Sequence, residues 1–292
     1  ELLIIGTADL VNKRGQGPSQ FLCEMFGEDL RAMADLTNVY AVESREGAPR
    51  GPKARHSYTQ LAYYLQCPLR YRYLVVYGME APGSEAAPFG ANVHRALEAI
   101  HRRARAGNPP TAAEVETIVA ETWVSDPQSD PEADAALRQA ATGQLRTYMQ
   151  RHADRFEQIT DVERHFSFAV GDHILLGKID LIRRDAEGVE IVDFKTSTSA
   201  GAASEQVLVQ LALYALGAAR DFGYRIARLS AHFLGDDRVE TWDHTGALAA
   251  GTEAFLAHLL DAIDTGAFKP RRAYCQQCLE FRALCPHAGA TG

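Results

Sequence analysis

Gly177-Lys178-Ile179-Asp180-Leu181-Ile182, followed by Val189-Glu190-Ile191-Val192-Asp193-Phe194-Lys195-Thr196, reads as two neighbouring strands of a hairpin. Val189, Ile191 and Phe194 favour the strand, and Asp185-Ala186-Glu187-Gly188 between the runs has turn chemistry. Alternate residues of a strand share a face, so Asp193 and Lys195 point one way and Phe194 the other. Asp180 reaches the same patch from the adjacent strand. Both acids are embedded in apolar runs, Ile179, Leu181 and Ile182 around one and Ile191 and Val192 beside the other, where an unpaired carboxylate is costly. An Asp-x-Lys on an exposed strand is ordinarily a solvated ion pair of little consequence. Two carboxylates and an ammonium in apolar surroundings instead form a divalent-metal site with a cation beside it, which is what phosphodiester hydrolysis needs.

The chain has 292 residues, 46% of them hydrophobic, enough for one large domain or two modest ones. No apolar run reaches about 18 residues, which predicts no membrane span. Glu1-Leu2-Leu3-Ile4-Ile5-Gly6 has neither a start Met nor a basic leader and reads as a cut from a longer chain, not a signal peptide. A net charge of −8 excludes a protein that coats nucleic acid generally, but leaves room for a local basic groove. Positive residues cluster at Arg50, Lys53, Arg55 and His56, at Arg70 and Arg72, at His101, Arg102, Arg103 and Arg105, and at Lys269, Arg271 and Arg272.

Residues 43–56 combine Gly, Pro and charge and read as a linker, which divides the chain into segments 1–43, 44–56 and 57–292. Ser57 and Gln60 form a capping box opening a helix that Cys67-Pro68 breaks. A helix from Phe89 to Ala106 carries Val93, Leu97 and Ile100 as its stripe, with His94 beside it. A lone His in that place is ordinarily a core or surface residue, unless the helix packs beside the Asp-x-Lys sheet. Thr111 and Glu114 suggest a second capping box, opening a helix to about Trp123, and Asp130-Pro131 starts a longer helix to about Phe156. Period-two alternation then sets in at Val162–Phe168, and Gly171-Asp172 turns the chain into the strand of Asp180. A helix over 204–222 puts Gln210 and Tyr214 on one face. Strands at 224–234 and 237–242 and a helix over 246–265 complete a mixed α/β pattern.

Four of the five cysteines, Cys67, Cys275, Cys278 and Cys285, form a pattern, while Cys23 reads as a buried small hydrophobe. Four thiolates suit a tetrahedral zinc or an iron–sulfur cluster. Zinc ribbons supply two Cys-x-x-Cys knuckles, whereas here there is one, and Cys67 and Cys285 are each followed by proline, as cluster ligands can be. The pattern favours a [4Fe–4S] cluster that pins the end of the chain to residue 67. It would gather Arg70, Arg72, Lys269, Arg271 and Arg272 on one surface suited to phosphate.

Gly90-x3-His94, Glu163, Gly177-x2-Asp180, Asp193-x-Lys195 and Gln210-x3-Tyr214 resemble, in order, the motifs of the RecB-type PD-(D/E)XK nucleases. With the cysteines added, residues 57–287 resemble the iron–sulfur branch that includes the AddB nuclease domain and the CRISPR-adaptation nucleases. Residues 1 to about 40 resemble the tail of a UvrD-like superfamily 1 helicase motor, although the chain contains no P-loop motif. The resemblance implies a restriction-endonuclease-like mixed central sheet flanked by helices, with a cysteine-bound iron–sulfur segment joining its N- and C-terminal parts. It implies that His94, Asp180, Asp193 and the Phe194 carbonyl bind Mg2+ or Mn2+, that Lys195 orients the attacking water, and that Glu163 assists. Gln210, Tyr214, Arg70, Arg72, Lys269 and Arg271 would contact DNA. The expectation is a cytoplasmic single-strand DNA exonuclease, driven by a helicase motor in the same chain and acting in repair or recombination. Its rivals are a cluster-stabilised DNA-binding module with a silent site and a stand-alone CRISPR-adaptation-type nuclease.

Overall fold

The computed structural model describes residues 54–79, 86–199, 204–275, 278, 281 and 284–287. The expected motor tail at 1–43 and the linker up to residue 53 lie outside these residues. The chain divides into two compact units, Glu1–Gly51 and Pro52–Gly292, and only the second is described below.

Six strands make one sheet. In chain order the elements are β1 (Ala54–Ser57), α1 (Tyr58–Gln66), α2 (Pro68–Tyr71) with a π turn after it, α3 (Ala86–Arg105), α4 (Val115–Thr122) and α5 (Pro131–His152). Then come β2 (Ile159–Val170), β3 (His173–Asp185), β4 (Gly188–Lys195), α6 (Ser204–Phe222), β5 (Ile226–Phe233), β6 (Arg238–Asp243) and α7 (Gly246–Asp264). The expected hairpin is β3–β4, antiparallel from Leu181↔Val192 to Asp185↔Gly188. β4 and β5 are parallel and joined through α6, while β1 also runs parallel to β3, so the sheet is mixed.

Two boundaries differ from the sequence reading. Residues 54–56, expected in the linker, are strand: they pair with His173–Leu175, and pairing with a neighbouring strand overrides their weak intrinsic preference. The Thr111–Glu114 pair closes a turn and the helix proper starts at Val115. Thr111 gives both its N–H and its hydroxyl proton to the Glu114 carboxylate, so the hydroxyl is not spent on capping. At Ser57 and Gln60, by contrast, both halves of the capping box form.

The helices lie in two layers. α1, α6 and α7 cover one face around Leu61, Leu211, Leu256 and the strand residues Leu175, Ile179, Ile191 and Leu229. α3, α4 and α5 cover the other around Val93, Val115, Leu145, Leu181, Val192 and Phe194. α7 is, among the described residues, the one helix long and apolar enough to cross a membrane by length and composition. Its Leu256, Leu259 and Leu260 are buried in the core that it shares with α6.

Phe166 explains two glycines. Its ring lies over Gly177, its register partner on β3, and under Gly217 of α6. A Cβ at Gly177 would stand 2.2 Å from the ring, and one at Gly217 2.5 Å. Held from both sides, the buried ring has nowhere to go. Gly217→Ala is expected to cost about 1–3 kcal/mol through overpacking, read as a lower urea midpoint at unchanged slope. A midpoint equal to wild type would show that the layers can part.

Candidate active site

Strand β3 is the frame of the site. β2 follows one of its edges from His173 to Arg183. The opposite edge is shared: β1 takes His173–Leu176 and β4 takes Leu181–Asp185. Residues 177–180 lie in the gap between these two partners, and Gly177, Lys178 and Asp180 line a cleft of about 690 Å³. Ser57, Tyr58 and Thr59 enter it from β1 and α1, His94 from α3, Asp193, Phe194 and Lys195 from β4, and Gln210 and Tyr214 from α6.

The pleat breaks at this gap. Ile179 packs in the α6 layer, yet Leu181, two residues on, packs in the α3 layer. On β2, Val162 and Phe166 likewise fall in opposite layers although even spacing would keep them together. Glu163 sits at the break with φ 49°, a left-handed conformation that costs a non-glycine residue on the order of 1–2 kcal/mol. Glu163 and Asp180 lie at this break, in the gap that His94 reaches from α3. On β4 the alternation holds: Phe194 packs under α3 and α5, and Asp193 and Lys195 face α6.

The geometry is closely tied. His94 Nδ1 is 3.5 Å from Asp180 Oδ2, and that oxygen accepts the Phe194 N–H at 2.9 Å. A residue's N–H and C=O leave a strand on the same edge, so the Phe194 carbonyl faces the same gap. Lys195 Nζ lies 2.8 Å from Asp193 Oδ2 and donates to Gln210 Oε1 at 2.7 Å. Gln210 Nε2 donates to Asp193 Oδ1 at 3.0 Å and to the Tyr214 hydroxyl at 2.9 Å. Lysine can only donate and a carboxylate only accept, which fixes the orientation of the Gln210 amide. The Tyr214 oxygen accepts, so its own proton is left for another partner. Lys178 forms an ion pair with Glu163.

Burial and mutual repulsion govern the charges. Asp180 is pushed well above the carboxylate range, first by desolvation and then by the nearby Asp193. His94 is lowered by desolvation, partly offset by Asp193 and Glu163, so its ring is neutral and free to ligate at neutral pH. Tyr214 is raised by desolvation and by Asp193, and stays protonated. The buried oxygens Asp193 Oδ2 and Glu163 Oε2 have ammonium neighbours but no directed hydrogen bond. The ligand atoms of His94, Glu163 and Asp180 lie within 4.8 Å of one another. Crowded carboxylates, under-used oxygens and a neutral imidazole are a donor set that fits a hard divalent ion.

The family model of the PD-(D/E)XK nuclease superfamily matches residues 55–286. The chain belongs to that superfamily. Among solved structures, a candidate exonuclease from Eubacterium rectale has a TM-score of 0.52 and 13% identity over 82% of this chain and 94% of that one. SSO0001 has a TM-score of 0.40 and 16% identity over 83% of this chain and 89% of its own. At 13% identity the likeness to the Eubacterium rectale protein is one of fold. No curated protein matches the chain. The PD-(D/E)XK superfamily is one of nucleases that use divalent metals.

The PD-(D/E)XK domain carries a second pocket, small and apolar, lined by Cys67, Cys275, Cys278 and Cys285 together with Leu69, Tyr73 and Phe281. Cys67 closes α1 and opens α2, with Pro68 at the first helical position. Its sulfur receives the Arg271 N–H at 3.5 Å. Arg70 also lines this pocket and lies 4.7 Å over the Tyr63 ring. Arg72 stacks on Tyr77, Arg271 reaches the Leu65 carbonyl at 2.5 Å, and Lys269 is exposed. Two members of the sequence's basic clusters prove to be something else. His56 is buried, hydrogen-bonded to His173 at 3.0 Å, and lowered by burial and by that neighbour. His101 is stacked on Phe194 and pushed down to about 3 by burial, so it is neutral core.

Residues that the sequence reading left without a role also face the cleft: Tyr58, Thr59, His165 and Lys178. Lys178 was within reach of the same alternation rule, since Lys178-x-Asp180 mirrors Asp193-x-Lys195.

Proposed function

We propose that residues 57–292 are the nuclease module of a RecB-type helicase–nuclease, a Mg2+- or Mn2+-dependent deoxyribonuclease that digests single-stranded DNA from an end during repair or recombination. The helicase motor would precede it in the same chain, and the enzyme would act in the cytoplasm. The observation that carries the reading is the convergence of His94, Asp180, Asp193 and Lys195 on one cleft, where Asp193 Oδ2 and Glu163 Oε2 have ammonium neighbours but no directed hydrogen bond. Tyr58 and Tyr214, edge to face at 6.3 Å on the cleft wall, offer ring surface to unstacked bases, which favours a single strand.

His94, Asp180, Asp193 and the Phe194 carbonyl would hold the ion. When bound, it would supply Lewis-acid polarisation of the phosphate and ease ionisation of water. Lys195, fixed by Asp193 and Gln210, orients the attacking water and stabilises charge growing on the non-bridging oxygens. The free proton of Tyr214 is placed to bind a phosphate oxygen. Water's oxygen attacks phosphorus in line, the bond to the leaving sugar oxygen breaks, the attacking water gives a proton to solvent, and the leaving oxygen takes one up from solvent to become a hydroxyl.

The four thiols fit a [4Fe–4S] cluster. They come from both ends of the domain, share an apolar pocket, and one already receives a backbone N–H, as cluster sulfurs do. Its role is structural, tying the segment after α7 to the start of α2. Protein prepared without oxygen is expected to be brown, with absorbance near about 400 nm. Cys67→Ser is expected to lose that colour and expose residues 270–285 to protease. A colourless wild type containing zinc would overturn the cluster.

Timed digestion of end-labelled single strands, each blocked at the 5′ or the 3′ end, tests the activity. One block should stop digestion in Mn2+, and EDTA should stop it altogether. Cleavage of circular single strands at the same rate would sink the exonuclease. Wild type and Asp193→Ala equally inert but still binding DNA would leave only the binding module.

A further inference from the structure

Two ammonium groups flank the carboxylates. Lys195 is engaged by Asp193 and Gln210 on the α6 side. Lys178, two residues before Asp180 and on the unpartnered stretch of the β3 edge, also lines the cleft. Its side chain is 46% exposed, so the ammonium is wet and reachable, whereas its partner Glu163 is 7% exposed and fixed at the break in the pleat. A strained backbone at φ 49° holds Glu163 where it can face both Lys178 and the Asp180–His94 side. An exposed lysine tethered to a carboxylate at the water's edge contributes little to stability. Here the tether sets the ammonium at the rim of the reaction cleft, on the flank away from Lys195.

We propose that Lys178 is a second phosphate-binding cation of this site: its ammonium, positioned by Glu163, contacts the DNA backbone on the side opposite Lys195. The two lysines then clamp the phosphodiester from both flanks, and Glu163 is the positioning residue for one of them. This rests on the nuclease reading of the cleft, but its test does not need turnover.

Binding of a labelled single-stranded oligonucleotide is measured by anisotropy against salt concentration, in EDTA. Losing one phosphate contact lowers the slope of log affinity against log salt by about 0.7 for a single strand. Lys178→Met is expected to show that loss, and Lys178→Arg to keep the wild-type slope. Lys178→Met alone leaves Glu163 without its counter-charge, so the neutral pair Glu163→Gln/Lys178→Met is the decisive variant. If Lys178 touches phosphate, the double variant keeps the lowered slope, and in Mn2+ it cleaves about tenfold or more slowly than Glu163→Gln alone. If Lys178 only balances Glu163, the double variant returns to the slope and rate of Glu163→Gln, and the proposal falls. An unchanged slope in both Lys178 variants also overturns it. Failure of the nuclease reading looks different: wild type and Asp193→Ala would then be equally inert in Mn2+, whatever the slopes.

Discussion

Asp193→Ala is expected to slow Mn2+-dependent cleavage by about a thousandfold, the several kcal/mol that an ion's charge stabilisation supplies, and to leave the domain folded. Among the described residues, the hydrogen-bond and ion-pair partners of the Asp193 side chain are site residues. Its Oδ1 is held by Gln210 and its Oδ2 lies 2.8 Å from Lys195. Without it Lys195 still donates to Gln210, and Gln210 still donates to Tyr214. Asp180 is relieved of the neighbour that, after burial, does most to push its carboxyl up. The metal-free variant should therefore melt no lower than wild type. A second readout separates ion loss from misfolding: Mn2+ should raise the melting temperature of wild type by mass action and leave the variant unmoved. Cleavage within tenfold of wild type would mean that Asp193 does not hold the ion.

The sequence disclosed the parts of this site that obey simple periodicity. Asp193 and Lys195 share a face because β4 alternates without interruption, and Gln210 meets Tyr214 because both lie one helical turn apart on α6. The place of His94 was conditional on packing, and α3 does bring it to Asp180. The pleat break was not legible. Nothing in Val162-Glu163-Arg164 marks Glu163 for a positive φ, because such a backbone is imposed by two layers that must both be filled, by Phe166 on one side and Val162 on the other. The buried imidazoles of His56 and His101 were also unreadable. A histidine beside arginines looks basic until the fold places it against His173 or Phe194, and burial then decides its charge. The shared pocket of the four cysteines lay between these cases, since spacing suggested a common ligand but only the fold could bring Cys67 beside Arg271.

Glu190→Ala is expected to destabilise the domain by about 3–5 kcal/mol, the cost of breaking a buried ion pair by removing one member. Sequence alternation gives Glu190 no distinction, yet it is 1% exposed. It pairs across the β3–β4 register with Arg183, itself buried. Oε2 accepts from Arg155 at 2.7 Å, and Oε1 accepts the Ser230 hydroxyl proton at 2.5 Å. One carboxylate therefore joins three strands to the turn after α5, and its loss leaves the Arg183 guanidinium in the core without an anion. Glu190→Gln keeps an acceptor for one of these donors and should lose less. Burial works to raise the Glu190 carboxyl, but Arg183 and the Ser230 bond outweigh it and hold it below its usual range. A depressed carboxyl gives stability that is complete above its unfolded value of about 4.3 and drains away as pH falls through the folded one. Urea midpoints should thus drop for wild type below about pH 4, while Glu190→Gln, already lacking the charge, should fall less over the same interval. Parallel acid limbs for the two proteins would place the acid sensitivity elsewhere, most directly at Asp237, whose carboxyl is held down by His232, His152 and Arg151 against the pull of burial.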